Sequence, residues 1–259
     1  MTRGPLWLLG FLLAAALAAP IVAPYAPEQI DLAHRREPPS AAHWFGTDDL
    51  GRDVLARVLH GARVSLAVGL LSAAVAGASG IAIGGVAGYA GGVIDASLMR
   101  GTDAMLAVPR LPLLMIAGAL LEPTVPLLVV LIGMAGWMET ARVVRAEFRT
   151  LRTRGYVESA RAAGAGHARL IFAHLLPNAA HAVEVSITLA VARGILLESA
   201  LSFFGVGVRP PAASWGNMLY QAQAALATEP WLAVVPGVFI LMTTLSVNAA
   251  VIRADRRMA

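Results

Sequence analysis

From Val64 to Ile94 the chain runs 31 residues without a charged side chain. A bilayer core about 30 Å thick is crossed by ~20 mostly apolar helical residues. As one helix this run is about 46 Å long at ~1.5 Å per residue, so it must tilt, project into water or break near its glycines. Composition agrees: 58% of the 259 residues are hydrophobic and 14% charged, against roughly 45–50% and about 25% in soluble domains. Five more apolar stretches follow the same reading, at Leu6–Ala23, Ala104–Leu121, Pro123–Met138, Ala179–Leu201 and Trp231–Ile252. The expected fold is all-α and polytopic, with six transmembrane helices.

Charge sets the expected orientation. With the N-terminus inside, thirteen arginines fall on the inner side and six on the outer. The positive-inside rule counts Lys and Arg, so N-in, C-in is expected. Residues 1–27 then hold the first helix and 28–63 an external segment. Residues 64–252 form a five-helix core with an inner loop at 142–178, and 253–259 an inner tail. The first segment also fits a cleavable leader, with Arg3, an apolar stretch and Ala16-Leu17-Ala18; Pro20 and the arginine count favour a retained helix. The net charge of +4 therefore reads as topology, and no nucleic-acid partner is expected.

Two residue types are missing. There is no cysteine, which excludes disulfides, thiolate metal sites and cysteine nucleophiles. There is no lysine, since all 20 basic residues are arginine. A P-loop needs its lysine at the phosphates, so ATP hydrolysis by that route must come from another chain.

The long apolar run carries a packing pattern. Gly80, Gly84, Gly88 and Gly92 recur every four residues, in phase with Ser72 and Ala76. Such positions share a helix face, and small residues there let another backbone approach closely.

Residues 142–178 are too long for a plain bundle connection of roughly 2–8 residues. They hold seven arginines against Glu147 and Glu158. Tyr156–Leu176 reads as two short helices joined at a glycine turn, Gly164 to Gly166, and stopped by Pro177. Glycine permits the positive φ that such a turn needs. Val157, Ala160, Leu170, Ile171 and Leu175, apolar yet outside the spans, call for a partner surface. A basic amphipathic segment on anionic membrane lipid is the other reading.

Here the sequence resembles a known family. Glu158-Ser159-Ala160, Gly164 six residues on and Leu176-Pro177 beyond it resemble the EAA motif of binding-protein-dependent ABC importer permeases. His43-Trp44-Phe45-Gly46-Thr47-Asp48-Asp49-Leu50-Gly51-Arg52-Asp53 is similar to the second permease of the peptide and nickel branch. So are Met99-Arg100 with Asp103 and Pro109, Leu201-Ser202-Phe203-Phe204-Gly205, and Trp215-Gly216-Asn217-Met218-Leu219. The resemblance spans about residues 20 to 248 and implies an ABC importer type I transmembrane domain. It further implies that Tyr156, Val157, Glu158, Ser159, Ala160, Gly164, Ala165, Leu176 and Pro177 form a coupling loop docking on a separate ATPase. The implied partners are a second homologous permease, two ABC ATPase subunits that use ATP and Mg, and an external substrate-binding protein. No cofactor is expected on this chain itself. Departures from the family pattern are Ser159 for alanine, Glu139-Thr140 before Ala141-Arg142, arginines at 110 and 193 inside spans, and a shortened tail.

Ionisable residues in spans are costly and often functional. Glu184, Arg193 and Glu198 share the fifth span, as a brace or as part of a translocation path. Arg193 and Glu198 lie five apart, about 140° around a helix, so they pair or face other chains. Glu198 stands where the family motif has an acid. His167, His174 and His181 are spaced by about 10 Å along a helix, too far for two to share a metal. No metal site is expected; a nickel contact by His34, His43 and His60 is the lesser reading beside ordinary loop polarity. Arg35, Arg36, Asp48, Asp49, Arg52 and Asp53 offer mixed charge for docking a binding protein, or form a solvated loop. Trp44 and Trp215 also read as interfacial anchors.

The expected activity is transport, with no bond broken by this chain: neither G-x-S-x-G nor H-E-x-x-H is present. Peptides are the default substrate, with nickel or another small solute as the alternative. An ion-coupled secondary transporter is the reading from a different class, in which the basic loop would be idle.

Overall fold

The computed structural model describes residues 4–122 and 124–256. Arg3 and Arg257, which enter the arginine count, and Pro123, which opens the expected fourth span, lie outside the described residues. Among these residues there is no strand, only an isolated bridge between Thr47 and Asp53. The helices are α1 (Gly4–Val22), α2 (Val54–Ala90), α3 (Gly92–Ala107), α4 (Arg110–Leu121), α5 (Val125–Met134), α6 (Trp137–Leu151), α7 (Gly155–Ala162), α8 (His167–Phe203), α9 (Trp215–Ala222) and α10 (Trp231–Arg256). Helices α2, α8 and α10 are each long and apolar enough to cross a bilayer. The pairs α3–α4 and α5–α6 qualify only when each bent pair is taken together, and α1 is a shorter apolar helix.

The 31-residue apolar run breaks at one of its glycines, Gly91, and its last three residues, from Gly92 to Ile94, open α3. The part up to Ala90 belongs to α2, whose 37 residues extend about 55 Å. Residues 54–63, expected in the external segment, are its first turns. Asp53 caps them: its carboxylate accepts from Ala56 N at 2.7 Å, which satisfies an orphan donor of the first turn. Helix α2 is longer than the roughly 30 Å of a bilayer core. It stops at Gly91, whose φ of +68° side-chain-bearing residues rarely adopt.

Two expected spans are bent rather than continuous. Ala104–Leu121 is cut at Val108, and α3 meets α4 at 79°. Pro109 forces Val108 into an extended conformation (φ −79°, ψ 124°), because proline excludes the helical region for the residue before it. The expected fourth span bends by 43° at Ala135–Gly136 and continues as α6 to Leu151. There Gly136 N bonds Gly133 O at 3.0 Å, a tightened turn that kinks the axis. Glu139 therefore lies in the first turn of α6, within the bent pair and not at its end.

Helix α2 is the central element, packed by α1, α5, α6, α8, α9 and α10. Its glycine face meets α6. A Cβ on Gly80 would lie 2.6 Å from Thr140 Cβ, one on Gly84 2.8 Å from Ala141 Cα, and one on Gly88 2.7 Å from Phe148 Cβ. Ala76 continues the contact against Gly136. Gly92 does not take part: it lies beyond the end of α2 with open space around it, because the Gly91 turn has already redirected the chain. Trp215 is not interfacial either. It is fully buried, and its indole N–H donates to Val58 O at 3.1 Å. Trp44 is 68% exposed.

Leucine at Gly84 would collide with the α6 backbone, which cannot move aside as a side chain can. Overpacking of this kind costs about 1–3 kcal/mol. Gly84→Leu is expected to lower the detergent melting temperature and the folded yield, whereas Gly101→Leu, with nothing near its Cβ position, is expected to match the parent. Equal melting temperatures for both variants would contradict the packing.

Candidate functional site

The loop after α6 is built as a rigid knob. Helix α7 ends in a Schellman turn: Gly164 N bonds Arg161 O and Ala165 N bonds Ala160 O, both at 3.0 Å. Gly164 occupies the left-handed position at φ +85°. Ala160 and Ala165, the residues that bracket the turn, both pack on the same apolar cluster. That cluster is closed by Val157, Leu170 and Leu175, all buried, against Val144 and Phe148 of α6. Tyr156, Glu158 and Ser159 face outward, as do Gly164 and Pro177; Leu176 is half-buried.

Pro177 does not stop the second helix, contrary to the sequence expectation. A π-helical turn over Leu170–Leu175 leads into it, and Pro177 sits in the first turn of the segment Leu176–Phe203. The wide turn reorganises the backbone ladder just where proline lacks its N–H. Helix α8 therefore runs from the knob across the whole bundle. Further bonds tie the knob to other helices. Arg152 donates to Gly88 O and Tyr89 O (3.3 and 3.2 Å), the final carbonyls of α2. The Tyr89 hydroxyl lies 2.5 Å from His167 Nδ1. Arg145 holds Asp95 of α3 through two bonds of 2.5 and 2.8 Å.

Glu198 lies near the other end of α8 and is fully buried. Ser65 of α2 donates to its Oε2 at 2.9 Å and Ser202 to its Oε1 at 2.8 Å. Each hydroxyl also accepts from a backbone N–H: Ser65 from Trp215 at 3.1 Å, Ser202 from Val208 at 3.0 Å. One carboxylate thus joins α2, α8, α9 and the loop between the last two. The Trp215-Gly216-Asn217 stretch is explained by the same junction. Ser214 and Asn217 form a reciprocal cap on α9, and a Cβ on Gly216 would strike Ser199.

Arg193 does not reach Glu198. It pairs with Glu139 of α6, and Arg110 of α4 holds the other oxygen of the same carboxylate at 2.7 Å. Glu184 is exposed, and its backbone carbonyl accepts from the Thr188 hydroxyl at 2.7 Å. This three-residue cluster escaped the sequence reading because its members sit on three helices. The available signal was opposite charges inside three different spans.

The external segment also differs from expectation. Asp48, Arg52 and Asp53 are buried and hold the segment to the bundle. Asp48 accepts from Leu50 N and Arg52 N at 2.9 Å and from Arg52 Nε at 2.7 Å. Arg52 and Arg57 both donate to Gln221 of α9. Only Arg35, Arg36 and the partly exposed Asp49 remain for docking. His43 Nδ1 lies 2.9 Å from Asp53. Among the described residues no group of three His, Asp or Glu is placed to hold a metal ion.

Among the described residues the chain is an all-helical bundle of apolar helices, two pairs of them bent, with an outward helical knob and charges paired between the helices. Residues 80–259 match the family described as binding-protein-dependent transport system inner membrane component. Residues 6–39 match the N-terminal TM domain of oligopeptide transport permease C. A protein of Brucella suis biovar 1 (strain 1330) named as a peptide permease is 41% identical over 93% of this chain and 80% of its own length. The dipeptide transport system permease protein DppC of Bacillus subtilis (strain 168) is 37% identical over 94% of this chain and 76% of its own. The oligopeptide transport system permease protein OppC of the same organism is 36% identical over 90% and 76%. The chain therefore belongs to the binding-protein-dependent inner-membrane transport family, as a multi-pass permease subunit of an ABC importer.

The Glu198 junction makes a graded prediction. Glu198→Gln keeps one oxygen acceptor, and serine hydroxyls can reverse to accept from the new amide, so a loss of at most about 1 kcal/mol is expected. Glu198→Leu leaves both hydroxyls without their acceptor, with an expected loss of roughly 2–4 kcal/mol. Thermal unfolding of the two variants in detergent checks the order.

Proposed function

We propose that this subunit forms the translocation path for peptides in an ATP-driven importer and couples to its motor through α7. It works beside a second homologous permease, two ABC ATPase subunits and an external binding protein. ATP and Mg are used on the ATPase subunits. The relatives' names, peptide, dipeptide and oligopeptide permease, support the substrate class. In this reading six helices cross the membrane, α1, α2, α3–α4, α5–α6, α8 and α10, with both ends inside.

The observation that carries the coupling role is the anchoring of α7. Its outward face presents Tyr156, Glu158 and Ser159, while Val157 and the Schellman turn lock its inner face to the ends of α2, α6 and α8. A push on such a knob moves whole helices, where a flexible loop would absorb it. Alternating access then follows as one bundle rocking against another.

Aspartate at Gly164 must take a left-handed φ, which disfavours it against glycine though less than most residues, and it places a second negative charge beside Glu158 on the outward face of the knob. Gly164→Asp is expected to cut uptake at least tenfold and to uncouple ATP hydrolysis from the binding protein. Unimpaired transport overturns the coupling role. Transport by the purified chain alone on an ion gradient would instead establish a secondary transporter.

A further inference from the structure

Helix α6 sorts its charges by sign. Arg142, Arg145 and Arg149 turn to α3, where Arg142 pairs with Asp103 and the other two with Asp95. Glu139, Val143 and Glu147, spaced by four, form another stripe of the same helix. That stripe walls a cavity of about 370 Å³ between α6 and α8, within the roughly 300–1,000 Å³ of pockets that hold small ligands. Its titratable lining is Glu139, Glu147, His181 and Arg193. From Glu139 to Glu147 it follows α6 for about 12 Å, toward the knob.

The two carboxylates differ in what they already hold. Arg193 of α8 pairs with Glu139, and Arg110 of α4, which is not on the wall, holds the other oxygen of Glu139 at 2.7 Å. Glu147 is half-buried and has neither a hydrogen bond nor an ion pair from its side chain among the described residues. A carboxylate left without a partner in such a bundle does not face lipid; it borders water or protein. Val143, one turn before Glu147, and Val185 and Leu189 of α8 form the apolar part of the wall. An acid beside an apolar wall matches a side chain with an apolar stem and a cationic head, as in lysine and arginine.

We infer that this cavity is a station of the translocation path for peptides with a basic side chain: Glu147 accepts the cationic head while Val143, Val185 and Leu189 hold the stem. The inference rests on the peptide reading above. The head gains a charge-assisted hydrogen bond, the stronger kind. A neutral side chain of similar length finds the same stem contacts without that bond. Glu139, by holding Arg193, keeps the one guanidinium on the wall from occupying Glu147.

The test uses the complete importer in liposomes with saturating binding protein. Uptake of Ala-Lys-Ala is divided by uptake of Ala-Met-Ala, a pair of similar stem length that differs in one positive charge. Steps common to parent and variant, recognition by the binding protein among them, cancel when each variant's ratio is compared with the parent's. Glu147→Gln is expected to lower the ratio about tenfold, or about 1.4 kcal/mol. Glu147→Asp, which keeps the charge, is expected to retain most of it. Glu184→Gln removes a carboxylate of α8 that is not on the wall and is expected to leave the ratio unchanged; an equal fall there overturns the inference, because the effect is then a general field. Equal loss of both peptides in Glu147→Gln overturns it and makes Glu147 a brace or a contact to the second permease. An unchanged ratio overturns it too. A parent importer that moves Ala-Met-Ala but not Ala-Lys-Ala overturns the inference and leaves the peptide reading standing. One that moves neither overturns both.

Discussion

Close contact between the backbones of α2 and α6 is the constraint on which the rest of the bundle depends. Within lipid, apolar side chains gain little by leaving one apolar medium for another, so helices associate through close packing and hydrogen bonds. At Gly80, Gly84 and Gly88 there is no side chain to hold α6 away. That contact fixes α6, and α6 in turn carries Glu139, Arg145 and Arg152. Their partners Arg110, Asp95 and the end of α2 are placed by it.

Polar groups and one apolar cluster do the remaining positioning, at three levels. At one end Asp48, Arg52, Arg57 and Gln221 clamp the external segment to α2 and α9. Nearby, Glu198 gathers two serine hydroxyls and through them two backbone amides. At the other end the apolar cluster around Val157 and Phe148 locks the knob. The Glu139 group adds a further tie, joining α4, α6 and α8.

The residues of the knob were legible in the sequence because its signal is local. A glycine six residues after Glu158 marks a turn, and Val157 with Ala160 marks the packed face. The reach of Pro177 was misread: proline commonly ends a helix, and a π-helical turn is set by context rather than by any one residue. The bends at Pro109 and Gly136 were missed although both residues were visible, since a run of apolar residues says nothing about its own straightness. Asp48, Arg52 and Asp53 were taken for surface charge because a sequence does not show which charges find partners.

The sequence by itself determined the class of the protein. A 31-residue run without charge, the absence of lysine and cysteine, and short motifs in a fixed order depend only on neighbours along the chain. The tertiary structure decided which helices touch and which charges meet. Gly84 faces Ala141, Arg193 faces Glu139 rather than Glu198, and Gly92 faces nothing. Such pairings follow from where each helix starts, bends and turns about its axis. Those angles are set by packing among all the helices at once, which no local pattern encodes.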